Sequence, residues 1–160
     1  MAKPTIKTNA VRLAESAGIA VECYEYDVKD GRIDGISVAE KIGKPLNQVF
    51  KTLVTVSNTK EYLVFVIPVA EALDMKKAAA AAGAKSVEML PQKELLKVTG
   101  YVHGGCSPLG MKKLFRTFLH ESAQYQERMV CSAGKVGAQL QISPADLIKL
   151  TSGTYADLCK

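Results

Sequence analysis

The run Gln48–Val56 reads Q-V-F-K-T-L-V-T-V and is the most apolar, most β-branched stretch in the first half of the chain. This composition predicts a β-strand that lies largely inside the protein. Lys51 stands in the middle of the strand. Because an unpaired buried charge is costly, its ammonium either reaches water at the rim or lines a polar cavity that binds an anionic or carbonyl group. The strand alone leaves both interpretations open.

Helix and strand patterns alternate irregularly around this run. Ser57–Lys60 is a predicted turn, so a second strand at 61–67 forms a hairpin with the first. Asp74 is a suitable N-cap for an alanine-rich helix at 75–82, which Gly83 ends and which we expect to pack closely against a sheet. The remaining predicted elements are helices at 10–17, 37–42, 92–98 and 145–150 and strands at 19–26, 85–89, 114–119, 128–132 and 138–142.

This order of elements predicts one α+β domain over residues 1–160, with a mixed, curved sheet flanked by helices. Ser37 and Glu40 match a capping box, which places the start of the second helix at Ser37. No stretch approaches the roughly 18 apolar residues of a membrane span, and the first residues lack the apolar core of a signal peptide. We therefore expect a cytoplasmic protein that does not associate with membranes.

The net charge of +5 and the sequence pI of about 9.0 permit a polyanionic partner such as nucleic acid. They do not specify one, because the chain has no dense run of lysine and arginine. Cys23, Cys106, Cys131 and Cys159 form no C-x-x-C pair, and the two histidines add no zinc-type spacing. Reduced thiols are therefore expected.

Two loops are rich in glycine and small residues, a composition that leaves main-chain amides accessible to a ligand. The stretch Thr99–Lys113 reads T-G-Y-V-H-G-G-C-S-P-L-G-M-K-K, and its glycines allow a ligand to approach the main-chain amides. Ser132–Gly137 has the same character. Both stretches also fit ordinary turns with solvated lysines, and neither matches a Walker loop or a dinucleotide fingerprint. Together with Lys51 they could converge on one pocket.

Side chains that commonly act as nucleophile, acid or base lack evident partners. His103 and His120 have no neighbouring acid in the sequence, so structural or surface roles are the more common expectation. Cys106 and Cys131 have no clear histidine partner and are expected to be small buried hydrophobic residues. A thiol enzyme based on Cys106 remains an alternative.

Six motifs occur along the chain in the order and at the spacing that a known protein family shows. They are K-T-N-A-V-R (Lys7–Arg12), V-F-K-T-L-V (Val49–Val54), V-I-P-V with L-D-M-K-K (Val66–Lys77), the glycine loop (Thr99–Lys113), C-S-A-G-K-V-G (Cys131–Gly137) and Y-A-D-L (Tyr155–Leu158). On these motifs the chain resembles the YbaK/EbsC family of Cys-tRNA(Pro)/Cys-tRNA(Cys) deacylases. The same fold is the editing domain of some prolyl-tRNA synthetases.

The resemblance implies a partly barrel-like sheet and a trans-editing deacylase that hydrolyses mischarged tRNA, foremost Cys-tRNA(Pro), by attack of the substrate thiol on its own ester. No metal or organic cofactor is expected. The implied partners are the acceptor end of aminoacylated tRNA and, transiently, prolyl-tRNA synthetase, since a lone editing domain cannot read an anticodon. The implied catalytic residues are Lys51, Gly104 and Gly105, and the implied substrate-binding residues are Tyr24, Thr52, Ser107, Pro108, Ser132, Gly134 and Gln139.

Three positions depart from the family pattern. Gln139 stands where some cysteine-specific relatives carry aspartate, and Arg116 and His120 stand where relatives often have proline and an acid. The first departure bears on substrate identity. Alternative functions are an Ala-tRNA(Pro) deacylase of the same fold and a non-catalytic module that holds tRNA or a synthetase, which the mild basic charge permits.

Overall fold

The protein is described by a computed structural model that covers residues 6–160. In this range the α-helices are α1 (Asn9–Ser16), α2 (Gly35–Ile42), α3 (Met75–Ala82), α4 (Leu95–Thr99) and α5 (Pro144–Thr151). The strands are β1 (Glu22–Glu25), β2 (Phe50–Ser57), β3 (Tyr62–Pro68), β4 (Val87–Met89), β5 (Arg116–His120), β6 (Met129–Lys135), β7 (Ala138–Ile142) and β8 (Thr154–Ala156). None of these helices is long and apolar enough to cross a membrane within the described range.

The strands form two sheets that meet at β2. One sheet has the strand order β4-β2-β3-β5-β8, and the other has the order β1-β7-β6. The predicted β2–β3 hairpin is present, with Lys51 opposite Ile67, whereas β5 runs parallel to β3 and to β8. A parallel bridge between Val49 and Val130 links the two sheets. The mixed α+β fold is thus confirmed, and over residues 6–160 the curved arrangement does not close into a barrel.

The main core lies on the β2 face that carries Phe50 and Val54. There Leu140 of β7 and the small apolar face of α1 complete the packing. Thr8 caps α1 by accepting a hydrogen bond from the Val11 N–H. Burying a side chain such as Phe50 stabilises the fold by about 1.5–3 kcal/mol. This core fixes the direction of β2.

A second core lies on the opposite face of the five-stranded sheet, under α3. Phe65 and Phe118 stack there, with ring centroids 5.3 Å apart. The buried alanines Ala78, Ala79 and Ala82 bring α3 close to these rings. The alanine-rich helix therefore packs against a sheet, as its composition predicts. It begins after its N-cap Asp74 and ends at Gly83, at the predicted residues.

The predicted start of α2 is wrong by two residues. The N-cap is Asp34, whose carboxylate accepts the Ser37 N–H at 3.1 Å, so the helix begins at Gly35. Glu40, the other half of the expected capping box, instead forms an exposed ion pair with Arg32. Two N-cap patterns overlap here, and the earlier one forms. The shift matters because the first turn of α2 borders the candidate site.

The two other departures from the family pattern have structural roles. Arg116 donates to both carboxylate oxygens of Glu61 at 2.8 and 2.9 Å and to the Ala82 carbonyl. His120 accepts the Leu158 N–H on Nδ1 at 3.2 Å, which ties down the C-terminal tail. Both side chains therefore stabilise β5 and its neighbours.

Candidate functional site

A cavity of about 370 Å³ lies where β2 separates from β6. Its walls come from the N-terminal end of α2 with the residue before it, the first half of β2, α4, the glycine loop, and facing positions on β6 and β7. Five of the ten predicted site residues line it, namely Lys51, Thr52, Gly104, Ser132 and Gln139. Residues more than 80 positions apart in the sequence therefore meet at one place.

Lys51 lines this cavity from the face of β2 that it shares with Val49 and Leu53. The side chain is half-buried. Within residues 6–160 its ammonium has neither an ion pair nor a hydrogen bond to another residue. Of the two interpretations that the sequence left open, the structure supports the cavity. A partly desolvated cation without a protein partner is suited to bind an anion or to polarise a carbonyl group.

Ser132 and Gln139 lie directly opposite each other in the β6–β7 ladder, and Tyr24 of β1 lies opposite Gln139. The three residues form one row across the sheet. Ser132 and Gln139 are only 8% and 6% exposed, and both face the cavity. The Tyr24 hydroxyl contacts Glu22 and Gln141 at 3.1 and 3.3 Å, so this residue ends the row outside the cavity lining.

The two central glycines of the loop have different environments. Gly104 adopts φ +86°, which favours glycine, and lines the cavity. A Cβ at this position would lie 2.8 Å from Ile33 Cδ1, so Gly104 packs against Ile33. Gly105 is buried, and its N–H donates to the Val102 carbonyl at 3.0 Å. A Cβ at Gly105 would lie 2.7 Å from the Val136 nitrogen, so this residue packs on the β6–β7 turn. The expectation that its amide faces a ligand is not met.

The remaining predicted residues support the loop from outside the cavity lining. Ser107 is fully buried, and its hydroxyl accepts the Leu109 N–H at 3.2 Å. The Tyr101 hydroxyl donates to the Leu109 carbonyl at 2.6 Å, which closes the loop. Pro108 is buried in the same turn, and Gly134 lies against Tyr101. The loop is therefore held in shape by its own polar contacts.

Cys106 lines the cavity, but its protonation state opposes a nucleophilic role. Burial raises the pKa of the thiol to about 11, with a hydrogen bond involving Thr99 acting in the opposite direction. Reactive cysteines instead have lowered pKa values. His103 also lines the cavity, yet no hydrogen bond joins it to Cys106 in the described residues. The Cys106 alternative is therefore disfavoured.

The titratable residues of the cavity wall are Lys51, Asp34, His103 and Cys106. Across residues 6–160, no three His, Cys, Asp or Glu side chains come together in the manner of a metal site. The wall thus offers the Lys51 cation, one carboxylate, one imidazole, one thiol, a few hydroxyl and amide groups, and main-chain edges. Such a set orients and polarises a ligand.

The sequence-based reasoning missed the side of the cavity formed by Asp34, Gly35 and Ile36, and also Leu95 of α4. The D-x-x-S pattern of Asp34 and Ser37 is a helix-start signal and would have placed the first turn correctly. Leu95 gave no comparable signal, because a half-buried leucine in a short helix is ordinary.

Four exposed lysines lie on α4, on the turn before it and at the end of the glycine loop. They are Lys93, Lys97, Lys112 and Lys113. The Lys112 ammonium donates to the Lys97 carbonyl at 3.3 Å, so the two segments adjoin. None of the four forms an ion pair within the described range. The same short helix contributes Leu95 to the cavity wall, so α4 belongs both to the site and to this group of lysines.

Comparisons with solved structures bear on the fold. A solved structure provisionally described as a trans-editing enzyme for prolyl-tRNA synthetase superposes with a TM-score of 0.84 at 22% identity, over 98% of this chain and 99% of the other. A hypothetical protein gives a TM-score of 0.86 at 20% identity, over 96% and 100%. These two likenesses show the fold.

The sequence comparisons bear on the family as well as on the fold. EbsC of Enterococcus faecalis, provisionally named a Cys-tRNA(Pro)/Cys-tRNA(Cys) deacylase, is 45% identical over 95% of this chain and 93% of its own length. A sequence model of the aminoacyl-tRNA editing domain matches residues 35–150, which include every cavity-lining residue from Gly35 onward. The chain belongs to the family of aminoacyl-tRNA editing domains.

Proposed function

We propose that this protein is a trans-editing deacylase that hydrolyses the ester of mischarged aminoacyl-tRNA, with Cys-tRNA(Pro) as its main substrate. The observation that carries the proposal is the Lys51 ammonium, which has no ion-pair or hydrogen-bond partner among residues 6–160 and lies in a cavity that also presents Thr52, Ser132 and Gln139. The name of the Enterococcus relative supports the choice of the cysteinyl ester.

The cavity suits a reaction that takes its nucleophile from the substrate. An aminoacyl ester is already activated, so the protein needs to orient it and to stabilise the developing oxyanion. In this mechanism the substrate thiol sulfur attacks the ester carbonyl carbon, and the carbon–oxygen bond to the ribose breaks. The ribose oxygen leaves with the proton that the thiol gives up, and water then opens the cyclic thioester, so that cysteine is released and the net reaction is hydrolysis. Lys51 holds the carbonyl or the terminal phosphate, and the main chain at Gly104 supports the oxyanion.

The raised pKa of Cys106 fits a mechanism in which the substrate, and not the protein, supplies the nucleophile. A protonated, buried protein thiol does not compete with the thiol of the substrate for the carbonyl. Ser132 and Gln139 then provide the polar wall for the aminoacyl side chain and the ribose.

The lysines on and next to α4 are suited to the phosphates of the acceptor stem. Each exposed lysine that contacts a phosphate releases counterions and makes binding depend on salt. Lys97 and Lys112 adjoin each other, and Lys93 lies one helical turn before Lys97. An acceptor end that enters the cavity would bring its stem over this surface.

We assign selection of the tRNA to a partner. A domain of this size that holds the acceptor end does not reach an anticodon, so the proposal includes a transient cytoplasmic complex with prolyl-tRNA synthetase. Affinity capture of the synthetase with the tagged protein, in the presence and absence of tRNA(Pro), tests this part. Failure to recover a ternary complex would remove the synthetase from the account and leave the deacylase proposal standing.

The direct test is deacylation by the purified protein of tRNA(Pro) charged with cysteine, alanine or serine. Fast release of cysteine with slow release of the other two is expected, because only cysteine supplies a thiol. Alanyl-tRNA(Pro) cleaved as fast as the cysteinyl form would establish the alanine-specific alternative. Tight, salt-sensitive tRNA binding without any turnover would establish the non-catalytic binding module.

A further inference from the structure

Within residues 6–160, the edge of β2 that faces the cavity has a stretch without a ladder partner. β6 pairs at the Val49–Val130 bridge just before β2 begins, and β4 pairs with the same edge from Thr55 onward. Between them, Thr52 has a ladder partner among residues 6–160 on one side only, Val66 of β3. Thr52, which occupies this open position, lines the cavity.

The hydrogen-bond pattern shows where the Thr52 peptide groups point. In an antiparallel pair, the main-chain groups of successive residues face alternate edges of the strand. The Val49 carbonyl accepts the Val69 N–H at 2.9 Å at the β3 edge, and the Val54 carbonyl accepts the Leu90 N–H at 3.0 Å at the other edge. Thr52 lies two residues from Val54, so its N–H and carbonyl face the open edge.

The side chain of Thr52 is unsatisfied as well. Its Oγ1 is buried and has no hydrogen-bond partner in the described part of the chain. Thr55, on the same strand, donates its hydroxyl proton to the Leu63 carbonyl at 3.1 Å. An orphaned buried hydroxyl destabilises a fold, so its presence at a cavity calls for a function. A change of the Thr52 χ1 rotamer exchanges its hydroxyl with its methyl group and turns Oγ1 without moving the backbone.

The two faces of β2 offer opposite chemistry at this edge. Lys51 presents a cation on one face, whereas Thr52 presents a carbonyl acceptor at the edge and a hydroxyl on the other face. The end of an aminoacyl-tRNA has groups that match both. Its carbonyl and phosphate oxygens suit a cation, and its α-amino group needs hydrogen-bond acceptors. Near Lys51 an α-ammonium would be repelled.

We propose that the open edge of β2 at Thr52 is the subsite for the α-amino group of the substrate, which donates hydrogen bonds to the Thr52 carbonyl and Oγ1. This inference rests on the proposed deacylase function. It predicts selection for esters with a free α-amino group, so that N-acylated aminoacyl-tRNA is a poor substrate.

The test compares cysteinyl-tRNA(Pro) with its N-acetyl form, which keeps the thiol and the ester. For the wild-type protein, N-acetylation should lower kcat/KM by about tenfold or more. Thr52→Val should lower kcat/KM for the free amine by about tenfold and should affect the N-acetyl form much less. Thr52→Ser keeps the hydroxyl and should restore most of the activity.

Thermal stability separates a binding role from a structural one. Thr52→Val removes an orphaned hydroxyl and should raise Tm by about 2–4 °C, whereas the matched variant Thr55→Val removes a satisfied one and should lower it. If Thr52→Val lowers Tm and slows both esters equally, or if the wild type does not discriminate between them, the inference is overturned while the deacylase function stands. If the wild type cleaves neither ester, both proposals fall.

Discussion

Lys51 and Thr52 are adjacent in the chain but lie on opposite faces of β2, and both line the cavity at its open edge. The side chains of consecutive strand residues point to opposite faces of a sheet. Here one edge of the strand has no ladder partner among residues 6–160, so one cavity reaches both faces. A substrate placed across the edge meets a cation on one side and hydrogen-bond acceptors on the other.

Replacement of Cys106 should leave deacylation nearly unchanged. Its thiol, with a pKa raised to about 11 by burial, is protonated at neutral pH and supplies no nucleophile. Cys106→Ala and Cys106→Ser should each retain kcat within about threefold, an effect of the size expected from a small packing change. Rate measurements over pH 6–8 on both variants check this. A hundredfold loss in both variants, with an unchanged melting temperature, would revive the thiol-enzyme alternative.

Removal of Lys97 and Lys112 together should weaken binding of tRNA and leave the chemical step intact. The double alanine variant should raise KM, leave kcat unchanged, and reduce the slope of log K against log salt by about 1–2. Lys85→Ala is the matched control. Its residue lies near the Ser57–Asn58 end of β2, about 20 Å along the strand from Lys51. An equal change of KM in the control would show that the lysine position is unimportant.

Asp34 should give the start of α2 a pH-dependent stability. Hydrogen bonds from Ser37, first through its side chain and then through its main chain, hold the pKa of the Asp34 carboxyl below its ordinary value. Because the folded pKa is lowered, the stabilisation is present above about pH 4 and is lost as the pH falls through the folded pKa.

Asp34→Ala should therefore lower Tm at neutral pH, and the difference from wild type should shrink below about pH 4. Asp34→Asn retains a capping oxygen without a titrating group and is the control. Melting curves between pH 3 and pH 8 measure the effect. A difference between Asp34→Ala and wild type that stays constant over this range would contradict the capping role.

Local signals in the sequence account for most of the fold. The helix α3 is recognisable because Asp74, five alanines and Gly83 supply its start, interior and end. The β2–β3 hairpin is recognisable because two β-branched runs flank a polar turn. The start of α2 was misplaced because two capping patterns overlap, and only tertiary packing selects between them.

The site was predictable in part, and for a physical reason. Lys51 and Ser132 are marked by motifs, but the open edge of β2 depends on where β4 and β6 pair with it. That pairing joins residues up to 81 positions apart, Val49 and Val130, so no local sequence signal predicts it. Gly104 and Gly105 are equivalent in sequence, and only the contact of Gly105 with Val136 shows which one faces the cavity.

Single-turnover deacylation of cysteinyl-tRNA(Pro) by the wild type, Lys51→Ala and Lys51→Met tests the central claim most directly. The account predicts cleavage by the wild type and a loss of about 10²–10³-fold in both variants, the size expected when one stabilising group is removed from a transition state. Melting temperatures should stay near that of the wild type, because the ammonium has no partner in the described residues. Full activity of Lys51→Ala would contradict the account.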